Sequence, residues 1–201
     1  MKKFGVAFRR WNGFRLDRDA SDFPVLVLLF LSFLLGSLLG CFVGGGIDPN
    51  TGNVDQLISG GNTSGIWGFL SSLCTVSQYH IIVLLAATSV LGVFVIPATS
   101  FFRGYFLSCT AAAAIAALPE HGIAAAWISC GISAVITVPS LFLLELDGFG
   151  LSKRLRALSA GKSGHFSKGN VSYHLGIAVV CLLTAAAVDC ILVPKLLAYI
   201  L

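Results

Sequence analysis

From Pro24 to Val43 the chain runs without a charged side chain. At 1.5 Å per residue such a run is about 30 Å of helix, the thickness of one hydrocarbon core. Pro24 sits where a helix begins, and a first-turn proline costs no hydrogen bond. Gly36, Gly40 and Gly44 recur every fourth residue, a smooth stripe against which a second helix packs closely. Residues 44–65 then turn to glycine, asparagine and serine around Asp48-Pro49-Asn50, the chemistry of a loop. Within the outer region 44–78, Ile66, Phe69, Leu70 and Leu73 follow i, i+3, i+4, i+7 spacing. That pattern predicts a short helix lying at the outer interface.

A second span is expected from Tyr79 to Phe102, kinked near its end by Pro97. Arg103-Gly104 punctuates the sequence there. The third apolar segment, Tyr105–Leu118, is about 21 Å of helix and short for a crossing. The fourth is expected over Gly122–Leu146, with Pro139 inside it, and the fifth over Val171–Val193. Only helices and closed barrels satisfy their own peptide groups in lipid. Continuous apolar runs exclude the alternating strands of a barrel. The fold class is therefore an all-α, polytopic integral membrane protein with about five crossings.

Charge decides the third segment. Residues 1–23 carry Lys2, Lys3, Arg9, Arg10, Arg15 and Arg18, with Phe4, Phe8 and Trp11 at helical spacing, which suits a basic cytoplasmic segment in the headgroup layer. The region 44–78 contains no lysine or arginine, whereas the loop 147–170 holds Lys153, Arg154, Arg156, Lys162 and Lys168. If segment 105–118 crosses, both basic regions and Arg103 lie on the cytoplasmic side. The expected arrangement is a basic segment 1–23 and one helical membrane domain 24–201, with the N-terminus inside and the C-terminus outside.

Composition agrees. Of 201 residues, 56% are hydrophobic and 11% charged. Soluble domains average about 25% charged residues. A mean hydropathy of +0.90 is too high for a chain this short to bury. A net charge of +4 is modest, and no feature points to nucleic acid.

Candidate chemistry is sparse. Cys41, Cys74, Cys109, Cys130, Cys181 and Cys190 show no C-x-x-C spacing and read as small apolar packing residues. Leu38-Leu39-Gly40-Cys41 faintly echoes a lipoprotein box, but the apolar run continues beyond it. His80, His121, His165 and His174 form no metal-binding spacing. Gly161-Lys162-Ser163 lacks the glycine and the preceding strand of a phosphate loop. Glu145, Asp147 and Asp189 lie near span ends, where interfacial hydration or helix–helix hydrogen bonding accounts for them. No catalytic set, cofactor or metal site is expected, and the chain reads as a non-enzyme.

Several segments taken in order resemble the stage II sporulation protein M family. Leu31 to Gly40 is similar to that family's glycine-punctuated opening helix, and Gly68 to Leu73 to the outer segment leading into its second. Phe101-Phe102-Arg103-Gly104-Tyr105-Phe106 resembles its apolar, basic, glycine junction. Val138-Pro139-Ser140 and the stretch from Asp189 to Lys195 are similar to its Val-Pro-small step and its acidic-to-proline ending. The resemblance implies a non-enzymatic membrane scaffold that anchors or positions peptidoglycan-remodelling enzymes during engulfment in endospore formation. It implies, as partners, the membrane-anchored hydrolases called stage II sporulation proteins D and P. It also implies a multi-pass bacterial cell membrane location, at the mother cell's septal or engulfing membrane. On this reading Trp67, Phe69, Leu70 and Leu73 are the partner-docking candidates. Gly36, Gly40, Arg103, Gly104, Pro139 and Asp189 are the helix-packing candidates. The alternative is a transporter or permease subunit, which would hold a polar cavity near mid-membrane.

Overall fold

A computed structural model of the protein describes residues 23–46, 66–118, 120–161 and 171–200, and these are helical apart from short turns. The helices are α1 (Phe23–Gly45), α2 (Ile66–Ala87), α3 (Gly92–Ala117), α4 (Gly122–Ala126), a π-helical turn (Trp127–Gly131), α5 (Ile132–Ser159) and α6 (Val171–Ile200). From Gly122 to Ser159, α4, the π turn and α5 form one continuous rod of 38 residues. Five helical segments are long and apolar enough to cross a membrane. The protein is an all-α, polytopic membrane protein. The basic segment 1–22, the loop 47–65 and residues 162–170 lie outside the described residues.

The number of crossings agrees with the hydropathy pattern, but two boundaries do not. The second span is α2, Ile66–Ala87, so the expected separate interfacial helix is its first half. The chain breaks at Thr88–Leu91, twelve or more residues before Arg103. There Thr88 donates to the Leu85 carbonyl and the Leu91 N–H donates to the Ser89 hydroxyl. Hydroxyls that compete for backbone groups end helices, and hydropathy averages across them. Gly92 completes the turn: a Cβ there would lie 2.8 Å from both the Ala86 carbonyl carbon and the Ser152 hydroxyl. The third crossing is consequently α3, with 26 residues, and needs no thinned or tilted bilayer. Arg103-Gly104, expected at a cytoplasmic junction, falls in the middle of α3.

Pairwise contacts fix the direction of each span. Gly36, Gly40 and Gly44 meet Phe101, Tyr105 and Cys109 in ascending order, so α1 and α3 are parallel. Ser100 meets Glu145 and Gly92 meets Ser152, so α3 and α5 are antiparallel. His80 meets Ser140 and Ala87 meets Gly148, so α2 and α5 are parallel. Asp147 meets His174 and Ser133 meets Asp189, so α5 and α6 are antiparallel. The five spans thus alternate in direction, and residues 23 and 200 sit on opposite faces.

The α1–α3 contact is the most extensive in the bundle. A Cβ on Gly36 would fall 2.8 Å from the Phe101 carbonyl carbon, and one on Gly40 2.9 Å from that of Tyr105. Gly104 answers from α3, where a Cβ would sit 2.9 Å from the Ser37 hydroxyl. Without side chains between them the two backbones approach to a distance only glycine permits, the usual device for joining helices in lipid. Below this clamp, Leu29, Ala86, Ile96 and Phe149 form one buried cluster. A second joins Tyr79, Val83, Leu141 and Leu144, and a third joins Val76, Leu182 and Ala185. Elsewhere α1 and α6 present large apolar side chains outward, among them Phe30, Leu35, Phe42, Val180 and Ile191. In water this surface would be untenable; in lipid it costs nothing.

The rod from Gly122 to Ser159 is about 57 Å long, well beyond a 30 Å core. Its last turns, with Lys153, Arg154 and Arg156, therefore project past the hydrocarbon. Ser152 is fully buried and donates to the Ser89 carbonyl at 2.7 Å, pinning the α2–α3 turn to the rod. Gly161, at φ 72°, ends the rod in the left-handed conformation that glycine adopts without strain.

Candidate functional site

The helices that cross bring their few polar side chains to the bundle interior. Asp189 on α6 accepts hydrogen bonds at one oxygen from Ser72 on α2, at 3.3 Å, and from Ser133 on α5, at 3.1 Å. Its other oxygen, Oδ1, is buried without a hydrogen-bond partner among the described residues. Arg103 on α3 donates to the Thr137 hydroxyl at 3.1 Å, and Thr137 passes its own proton to the Ser133 carbonyl. The Arg103 guanidinium lies over the Tyr79 ring, 5.1 Å from its centroid, a cation–π geometry. Arg103 and Asp189 attract one another but form no contact ion pair. One polar centre therefore ties α2, α3, α5 and α6 together.

Three further pairs extend it toward the basic face. Ser140 gives its single hydroxyl proton to the Thr137 carbonyl, so at its 3.1 Å contact with His80 it must accept. That makes His80 Nε2 the protonated nitrogen, in a side chain only 2% exposed. Glu145 is wholly buried and receives the Ser100 hydroxyl, while its Oε1 has no partner among the described residues. Nearer the basic face, Asp147 and His174 form a hydrogen-bonded pair between α5 and α6.

The π turn shapes this centre. A π turn widens a helix by one residue and recurs where side chains are re-aimed for function. Here it precedes Ser133 and Thr137 by a turn or two and turns Cys130 toward a cavity of about 660 Å³. The cavity runs between α2 and α3. Thr75, Gln78 and Tyr79 line it from α2, and Thr99, Arg103 and Thr110 from α3. Ile82, Phe102 and Phe106 also line it and are themselves partly exposed, so the space opens sideways, toward lipid.

The sequence candidates fall into separate places. Gly36, Gly40 and Gly104 are buried together at the α1–α3 contact. Asp189 and Arg103 belong to the polar centre, and Pro139 lies in α5 on an exposed position. Trp67 is 76% exposed at the start of α2 and Leu70 is exposed on the same helix. Phe69 is partly buried, and Leu73 packs against the Val76, Leu182 and Ala185 cluster. Trp67 and Leu70 thus face outward while Leu73 serves the bundle. Ser72, Tyr79, His80, Ser100, Ser133 and Thr137 escape a reading of sequence alone. Serine and threonine are common in membrane helices, and only the partner across the interface reveals a polar site. No grouping of histidine, cysteine and carboxylate residues suited to a metal occurs among the described residues. Comparison with protein-family profiles, with curated proteins and with solved structures finds no match to this chain.

Proposed function

We propose that the chain is a non-catalytic membrane scaffold that positions peptidoglycan-remodelling enzymes, as its resemblance to the stage II sporulation protein M family implies. Its place is then the bacterial cell membrane, at the mother cell's septal or engulfing membrane. The supporting observation is the glycine clamp between the parallel helices α1 and α3, together with an interior in which alanine is the commonest buried side chain. A scaffold must hold fixed geometry, and backbones in direct contact leave little freedom to rock. Affinity capture from native membranes during endospore formation tests the idea. Membrane-anchored wall hydrolases akin to stage II sporulation proteins D and P are expected to co-purify. Their absence, together with normal engulfment in a strain lacking this chain, overturns it.

A second reading, a transporter or permease subunit, draws support from one feature. Arg103 faces a partly polar cavity at mid-span, and ionisable groups at that depth often serve function. Uptake of a labelled solute into proteoliposomes, abolished by Arg103→Gln, would favour it over the scaffold.

A further inference from the structure

The cavity between α2 and α3 is elongated. Along α3 its lining extends from Val95 to Thr110, about 22 Å of helix and so most of a hydrocarbon core. Its walls are mainly apolar, it opens sideways, and it holds one formal charge, Arg103, near mid-depth. A guanidinium has five N–H donors. Among the described residues Arg103 makes one hydrogen bond, to Thr137, and one ring contact, to Tyr79. Asp189 attracts it but forms no contact ion pair with it and does not line the groove. A cation left so under-partnered within a bilayer is costly. Lipid phosphates lie roughly 15 Å away in either direction, half a hydrocarbon core from this depth. A contact counter-charge on the groove side of Arg103 would come from something that lives within the membrane.

We infer that this groove receives a transmembrane helix of a partner protein carrying one carboxylate near its midpoint, which pairs with Arg103. The length of the groove suits a helix rather than a compact solute. Ile82, Phe102 and Phe106 supply apolar contact on either side of the charge, and the small Ala98 leaves room for the helix to lie close. Arg103 then acts as a selector: a helix without an acidic residue would cover the groove side of the cation without a contact partner, whereas one that bears it gains a charge-assisted bond in a medium of low dielectric. The inference rests on the scaffold reading only in requiring a membrane-anchored partner.

Photo-crosslinking tests it in the native membrane. A photoreactive phenylalanine analogue at Phe106 of the full chain is expected to trap a protein. The adduct should map to a transmembrane segment with an aspartate or glutamate in its middle third. Arg103→Gln should lower that adduct at least tenfold, and Arg103→Lys should restore much of it. Ala98→Phe keeps the charge but fills the groove, and it should lower the adduct to the same extent, which separates occupancy from misfolding of the Arg103 variant. Adducts only to lipid, only to a second copy of this chain, or unchanged in both Arg103→Gln and Ala98→Phe overturn the inference. If the trapped helix is acidic but its protein does not act on the cell wall, the docking site stands and the wall-remodelling reading falls. If wall hydrolases co-purify while no acidic helix is trapped, the docking site alone falls.

Discussion

At the scale of single residues, a few buried polar groups stand on very few donors. Ser100 is the hydrogen-bond partner of the fully buried Glu145. Removing one member of such a pair leaves the other desolvated and unmatched, a loss of about 1–3 kcal/mol. Ser100→Ala should therefore destabilise the protein by that amount in mixed-micelle unfolding, while Glu145→Gln, which keeps an oxygen to accept the bond, should cost less. Equal losses in the two variants would contradict this. Asp189 behaves differently because Ser72 and Ser133 share one of its oxygens. Either serine alone should be dispensable, and Ser72→Ala with Ser133→Ala should cost more than the sum of the single changes. A double-mutant cycle should return a coupling of about 0.5 kcal/mol or more. Strict additivity would mean that the two hydroxyls do not serve the same carboxylate. The acidic character of Asp189 was legible in the sequence. Its donors were not, because they lie 117 and 56 residues away along the chain.

At the scale of elements, the decisive contact is backbone against backbone. A side chain on Gly40 would drive into the Tyr105 carbonyl, whereas Leu38 points largely into lipid. Gly40→Leu should cost about 1–3 kcal/mol, the usual range for overpacking, and Leu38→Val should be nearly neutral. Thermal stability in detergent measures both, and a Gly40→Leu variant as stable as the wild type would refute the close approach. The four-residue glycine repeat is plain in the sequence, but the helix it meets is not, since α3 is separated from α1 by a full crossing. Helix ends were the least readable feature. Arg103 looks like a stop and is not, because Thr137 and Tyr79 receive it inside the bundle. Thr88 and Ser89 look innocuous among valines and leucines, yet their hydroxyls end α2 and allow the chain to reverse.

At the scale of the whole molecule, five alternating spans place the end of α5 and the end of α6 on opposite faces of the membrane. With the native cysteines replaced, Lys153→Cys should react only with reagent supplied from the cytoplasmic side, and Tyr199→Cys only from the other. Both positions are exposed. Labelling from the same side would break the alternation. The crossing count was legible because hydrophobic length is summed over some twenty residues and tolerates errors at each end. The groove was invisible for the opposite reason: it depends on two faces, a widened turn and one cation meeting in space. The parallel α1–α3 clamp also has a temporal meaning. The two helices are separated by nearly a quarter of the chain, so during synthesis α1 must enter lipid and wait, its glycine stripe uncovered, until α3 emerges. Its charge-free and largely apolar surface allows it to wait, because lipid satisfies it on nearly every side. The interval before α3 arrives is the window in which α1 is open to pairing with a foreign helix, so the order of synthesis, and not stability alone, governs whether the correct bundle forms.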